Sequence, residues 1–375
     1  MKPSASAAVA RGVFWASAGF YALVAFEFFY MVSPFAAYLY GIYGPGLGAL
    51  QLTGSTSWLV GFFLPHIARE TGSPFLDWHE AIGTVFLIAG LAAFAGGAAQ
   101  VYWSKLTRKR AIVGGMYRWV RHPQYLGLMT ASFGMLLIWP RYLVIVAFVT
   151  VCFAYYLLSR LEERICTREF PDYAGYAAHT GMLLPLARMP WPATFGRSVV
   201  TGLTLYIVLL AAGFAAARAL HDHAVGNLHV YETPNEAYLS VGRLPPDTIA
   251  AFARVATADP EVQAALGAHS DPGARFINYV MPTDLLISEV PMHLPPGHRT
   301  GHQSPSRQEQ SRYKIVFTRA HFGRAEPADG REILRRAVNK SPIIEVWIDR
   351  RAGRVERVLE PPTQEFYAGM PVPVF

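Results

Sequence analysis

The sequence predicts an all-α integral membrane helical bundle of five or six transmembrane helices, followed by a C-terminal soluble α+β domain. Three observations carry this reading. Hydrophobic residues fill 52% of the 375 positions and charged residues only 16%, more apolar surface than one ordinary soluble domain holds. The apolar residues gather into five segments that end at Ala217. After Ala217 the composition becomes that of a soluble domain, so the expected division is 1–217 and 218–375.

The five segments are Val13 to Tyr40, Ser57 to Ile67, Ala81 to Trp103, Tyr125 to Leu158 and Val199 to Ala217. About 20 residues at helical rise cross a bilayer. The first, third and fifth therefore qualify as single spans, and the fourth as a helical hairpin turning at Trp139-Pro140-Arg141. The second is broken by Pro65 and carries His66, which leaves the count at five or six. A secretory signal with Lys2 and Arg11 as its basic flank is the competing reading of the first segment. Its apolar run is too long for a signal core, it contains Glu27, and no small-x-small cleavage site follows.

The net charge of +7 lies wholly in the apolar part, which has 15 basic and 8 acidic residues against 18 and 18 after Ala217. Basic residues confined to membrane-flanking loops read as topology and headgroup attraction, which argues against nucleic acid as a partner. Lys105, Arg108, Lys109, Arg110, Arg118 and Arg121 precede the hairpin, and Arg160, Arg164, Arg168, Arg188 and Arg197 follow it. Both loops are expected in the cytoplasm, and the last span then carries residues 218–375 to the periplasmic or extracellular side. Two cysteines, Cys152 and Cys166, both lie in the apolar part and leave the C-terminal part without a disulfide framework.

In the C-terminal part, helical patterns run from Asp247 to Thr257 and from Asp329 to Val338. Strand patterns run from Arg312 to Thr318 and Ile343 to Ile348, and Ala352-Gly353 turns the latter into a hairpin with Val355 to Leu359. A loop from Pro291 to Gln310 is rich in Pro, Gly, His and Ser. His221, His223, His229, His293, His298 and His302 fit no metal-ligand spacing and read as linker residues, so no metal is expected. Arg331, Arg335, Arg336 and Lys340 read as a solvated helix face.

The chemistry-bearing stretch opens with Gly114-Gly115-Met116-Tyr117-Arg118-Trp119-Val120-Arg121-His122-Pro123-Gln124-Tyr125-Leu126-Gly127. Beyond the hairpin come Glu162-Glu163, then Phe170-Pro171-Asp172-Tyr173 and Tyr176. Pro123 fits the first turn of a helix, so Arg121 and His122 are placed to gather an anion at a positive helix end. The hairpin returns Glu162 and Glu163 to the same membrane face, and the physical reading is a pocket for a cation and an anion at the cytoplasmic interface. Helix neighbours point about 100° apart, so the two carboxylates cannot face one pocket equally.

These blocks resemble the isoprenylcysteine carboxyl methyltransferase family and the related phospholipid N-methyltransferases. The pattern Gly-x-x-Tyr-x-x-x-Arg-His-Pro-x-Tyr-x-Gly falls on Gly114, Tyr117, Arg121, His122, Pro123, Tyr125 and Gly127, and a downstream Glu-Glu with Phe-x-x-Tyr-x-x-Tyr falls on Glu162, Glu163, Phe170, Tyr173 and Tyr176. Pro171 stands where the family more often has Gly, and the resemblance stops before residues 218–375. It implies S-adenosylmethionine-dependent methyl transfer to a lipophilic acceptor, namely an isoprenoid, a lipid or a lipidated carboxylate. Tyr117, Arg121, His122, Tyr125, Gly127 and Glu162 are then the cofactor-binding residues, and Arg121, Glu162 and Glu163 the catalytic ones.

Blander roles stand beside these. Arg121 and His122 also suit lipid phosphate, the Glu pair suits helix ion pairs with Arg160 or Arg164, and Tyr173 and Tyr176 suit an interfacial aromatic belt. Glu27 sits mid-span, where an ionised carboxylate costs roughly 2.5 to 3.5 kcal/mol; the preferred reading is a helix or partner contact. The alternative to an enzyme is a non-catalytic membrane scaffold or accessory subunit, with residues 218–375 presented to a protein partner.

Overall fold

The computed structural model describes residues 5–35, 39–107, 112–184, 195–293, 311–323, 328–361 and 371–375. Lys2, Arg108, Lys109, Arg110, Pro185, Arg188, His298, His302 and the 294–310 part of the predicted loop lie outside the described residues. The chain divides into two units: Met1–Phe35, His79–Pro140 and Val144–Ala215 form the first, and Ala36–Trp78, Arg141–Leu143 and Ala216–Phe375 the second. Residues 36–78, which the linear division left with the membrane part, thus group with the C-terminal part.

The first unit holds α1 (Ala5–Val32), most of α3 (Pro74–Thr107), α4 (Pro123–Ile138), most of α5 (Tyr142–Glu169), the short α6 (Tyr173–His179) and most of α7 (Phe195–Asn227). Among the described residues four helices, α1, α3, α5 and α7, are long and apolar enough to cross a membrane. The hairpin of α4 and α5 turns where its Trp139-Pro140-Arg141 break predicts. With 16 residues, α4 spans about 24 Å, short of a hydrocarbon core of about 30 Å.

The second apolar segment is not a helix. Ser57–Val60 forms a 3-10 turn, and Leu64 and Ile67 beyond it are fully buried inside the second unit. There Phe62 bridges to Arg141, whose guanidinium lies 4.8 Å over the Phe62 ring. A run that reads as half a span is therefore core packing. A helix the sequence reading missed is α2 (Tyr40–Leu52), masked by Pro45 and four glycines.

The second unit carries a six-stranded sheet in the order β1-β2-β3-β4-β5-β6, formed by Val230–Glu232, Glu236–Ser240, Phe276–Pro282, Arg312–His321, Asn339–Asp349 and Arg354–Leu359. Only β2 and β3 pair in parallel, which requires a crossover. That crossover is α8 (Pro246–Thr257) and α9 (Pro260–Gly267), the latter capped by Asp259 accepting from the backbone N–H groups of Glu261 and Val262. Ile249, Phe252 and Ala256 of α8 pack on Val280, Ile315, Phe317 and Val346 of the sheet.

Two further expectations change in this unit. α10 (Glu332–Arg336) is short, and Lys340 has already entered β5, where it is buried, donates to the Pro373 carbonyl and lies 5.1 Å over the Tyr279 ring. Burial pushes its ammonium down to about 7, so it is no member of a solvated face. Three of the histidines are not linker residues either. His221 and His223 lie inside α7, His221 stacks on Phe375 at 5.3 Å, and the His293 backbone N–H donates to Glu345 at 2.7 Å.

Candidate active site

The site lies within the first unit, and helix contacts set its walls. Gly127 of α4 meets Gly90 and Phe94 of α3 so closely that a Cβ there would stand 2.6 Å from the Phe94 nitrogen and 2.8 Å from the Gly90 oxygen. Small residues let helix backbones approach this far in a membrane. Gly127 is thus a crossing residue, and it does not line the cavity described below.

Before α4 the chain turns at Gly115, whose φ of +61° suits glycine, into a 3-10 turn from Gly115 to Arg118. It then runs beside residues 181–182: the N–H groups of Arg121 and His122 donate to the Gly181 and Met182 carbonyls at 2.9 and 3.2 Å. Pro123 follows at the first turn of α4, where its missing N–H removes no helical bond.

Arg121 is buried and braced. Its Nε donates to Glu163 at 2.6 Å, and its Nη1 donates to the Ala177 carbonyl at 2.7 Å and to that of Thr180. A cation among the last carbonyls of α6 satisfies groups that the helix leaves open. The expectation that Arg121 serves first as an anion clamp is thereby altered, since two of its three nitrogens hold the protein itself.

The two adjacent carboxylates have separate neighbourhoods. Glu163 takes Arg121 on one oxygen and Arg160 on the other, the latter at 2.9 Å. Glu162 accepts from the Tyr125 hydroxyl at 2.6 Å. Its side chain is 35% exposed against 10% for Glu163. His122 bridges them, with Nδ1 3.4 Å from Glu162 and Nε2 3.6 Å from Glu163. Burial pulls the imidazole pKa down, but hydrogen bonding and attraction from both carboxylates outweigh it and hold the value above the ordinary one. Of the helix ion pairs anticipated for the Glu pair, the one with Arg160 therefore belongs to Glu163, alongside its bond to Arg121.

A cavity of about 400 Å³ opens on this cluster. Tyr117, Arg121, His122, Tyr125 and Glu162 line it, and Glu163 does not. Tyr173 and Tyr176 line it too, and Tyr176 donates its hydroxyl to the Tyr117 carbonyl at 2.5 Å, which removes them from a lipid-facing belt. Burial foremost, then the charge of Glu162, keeps the Tyr117 phenol well above its usual pKa and hence neutral.

Sequence reasoning missed the opposite wall. Ser17, Phe20, Tyr21 and Val24 of α1 and Phe94, Ala98, Val101 and Tyr102 of α3 complete the cavity, and Tyr21 and Tyr102 share a hydroxyl hydrogen bond of 2.7 Å. The signal was available, since 17, 20, 21 and 24 recur at helical spacing and mark one face.

Among the described residues no three His, Cys, Asp or Glu side chains gather as a metal site. Residues 81–172 match the family model described as phospholipid methyltransferase. The matched stretch takes in most of α3, the α4–α5 hairpin and the Glu pair, and it implies methyltransferase activity at a membrane. The resemblance read from the motif residues is thus shown over this region. No curated protein and no solved structure matches the chain.

Proposed function

We propose that the protein transfers a methyl group from S-adenosylmethionine to a lipophilic acceptor, an isoprenoid, a lipid or a lipidated carboxylate, at the cytoplasmic face of the membrane. The observation that carries this reading is the 400 Å³ cavity in which Glu162, His122, Arg121 and the ring and hydroxyl of Tyr125 converge. That volume falls in the range of small-molecule sites, and its charged groups, Arg121, His122 and Glu162, lie together in the lining.

S-adenosylmethionine supplies an electrophilic methyl on a sulfonium, between an α-amino acid head and an adenosine. The residues present suit it. Glu162 meets the ammonium of the head, and His122 with the remaining nitrogen of Arg121 meets the carboxylate. The faces of Tyr117 and Tyr125 favour the sulfonium charge. Glu163 keeps Arg121 and His122 in place rather than touching the donor. Methyl transfer is an in-line displacement that needs alignment and dispersal of charge, both of which a fixed wall of this kind supplies. The apolar residues of α1 and α3 provide the surface for an acceptor that arrives from the lipid.

The test is transfer from methyl-labelled S-adenosylmethionine to membrane lipid extract by the full chain in vesicles. Label is expected in the organic phase with the parent protein and at least tenfold less with Glu162→Gln. No organic-phase label from the parent, or equal label from both, contradicts the proposal.

A further inference from the structure

Glu27 of α1 lies outside the matched stretch and does not line the cavity, yet it is completely buried. An ionisable group inside an apolar span, here five residues before the end of Ala10–Val32, carries a desolvation cost and calls for a partner and a role. Its partners are two hydroxyls from two other helices: Ser132 of α4 donates to one oxygen and Tyr155 of α5 to the other. Tyr30, one turn further along α1, donates to the Ser132 carbonyl at 3.4 Å.

Tyr155 is the informative partner. Its ring, also fully buried, stacks on Tyr125 at 4.8 Å between centroids and 20° between planes. Tyr125 stacks in turn on His122 at 5.3 Å and 3°. The three rings form a ladder whose polar ends are all held by carboxylates: His122 by Glu162 and Glu163, the Tyr125 hydroxyl by Glu162, and the Tyr155 hydroxyl by Glu27. Phe20 of α1 leans on Tyr125 at 5.5 Å, so the helix that carries Glu27 also touches the middle ring.

We propose that Glu27 is a positioning residue for the donor pocket: by gripping the Tyr155 hydroxyl it fixes the ring on which Tyr125 stacks, and so the direction in which Tyr125 presents its hydroxyl to Glu162. The proposal rests on the methyl-donor reading of that pocket. Bare helix adhesion would not require a carboxylate here, because an apolar cluster of similar volume in place of all the polar partners together is often neutral or stabilising. What Leu cannot do is hold the Tyr155 hydroxyl.

The experiment measures S-adenosylhomocysteine binding and thermal unfolding of the full chain in lipid nanodiscs. Glu27→Leu leaves the Ser132 and Tyr155 hydroxyls without this acceptor, so it is expected to unfold earlier than the parent and, where folded, to bind at least tenfold more weakly. Glu27→Gln, which keeps one acceptor oxygen, is expected to recover affinity to within about threefold of the parent. Tyr155→Phe, which keeps the ring and loses only the hydroxyl, is expected to lose affinity at an unchanged midpoint, and it decides the matter should Glu27→Leu fail to fold. Parental affinity in both Glu27→Leu and Tyr155→Phe overturns the positioning role while the donor reading stands. Absence of binding by the folded parent overturns the donor reading and this inference with it.

Discussion

Two of the buried pairs of a cation and a carboxylate differ in what surrounds them. In the first unit Arg121 meets Glu163 at 2.6 Å, and Arg121, His122 and Glu162 open on a cavity. In the second unit Lys314 and Glu345, both fully buried, lie 3.9 Å apart. There the remaining valences are closed by the protein: Glu345 accepts from Trp347 and the His293 backbone at 2.6 and 2.7 Å, and Lys314 donates to the Met292 sulfur at 3.1 Å. Burial lowers the pKa of this lysine. Buried charge by itself therefore marks no site. A candidate site is a charged cluster with members left facing a cavity, and in the first unit these are Arg121, His122 and Glu162.

The comparison can be broken by variants of either cluster. The largest effect is expected of Arg121→Ala, which leaves Glu163 with Arg160 and His122 alone and takes the buried donor from the Ala177 and Thr180 carbonyls: about 3–5 kcal/mol of stability, read by thermal unfolding, with loss of donor binding. Lys314→Met is expected to cost about 3 kcal/mol by leaving Glu345 unpaired, yet to leave donor affinity in the surviving folded protein unchanged. Loss of affinity there would erase the contrast between the two clusters. Glu162→Gln is expected to weaken donor binding by at least tenfold, about 1.4 kcal/mol, with little change in unfolding midpoint. The smallest effect concerns pH. His122 has a folded pKa above its unfolded value of about 6.5, so its contribution to stability is complete below that value and is lost as pH rises through the folded one. Midpoints measured from pH 6 to 9 should fall with rising pH, and His122→Gln should flatten the slope.

Much of the first unit was legible because membrane helices advertise themselves by length and apolarity, and because Pro140 and the Glu pair fix the hairpin and its far end. What could not be read was which Glu faces the cavity, since that depends on the rotation of α5 about its axis, and that Arg121 turns to the end of α6. In the second unit β4, the β5–β6 hairpin and α8 follow their patterns. Strands β2 and β3 escaped because they are buried almost throughout, and an apolar run such as Phe276–Pro282 then shows no alternation. Ser57 to Ile67 misled for a related reason: apolar residues packed inside protein and those packed in lipid look alike in sequence.

The most direct test of the account is calorimetric titration of the full chain in nanodiscs with S-adenosylhomocysteine, the parent beside Glu162→Gln. One micromolar site per chain is expected in the parent, with affinity at least tenfold weaker in the variant at an equal unfolding midpoint. A folded parent that takes up none at millimolar concentration, or a variant that binds as tightly as the parent, contradicts it.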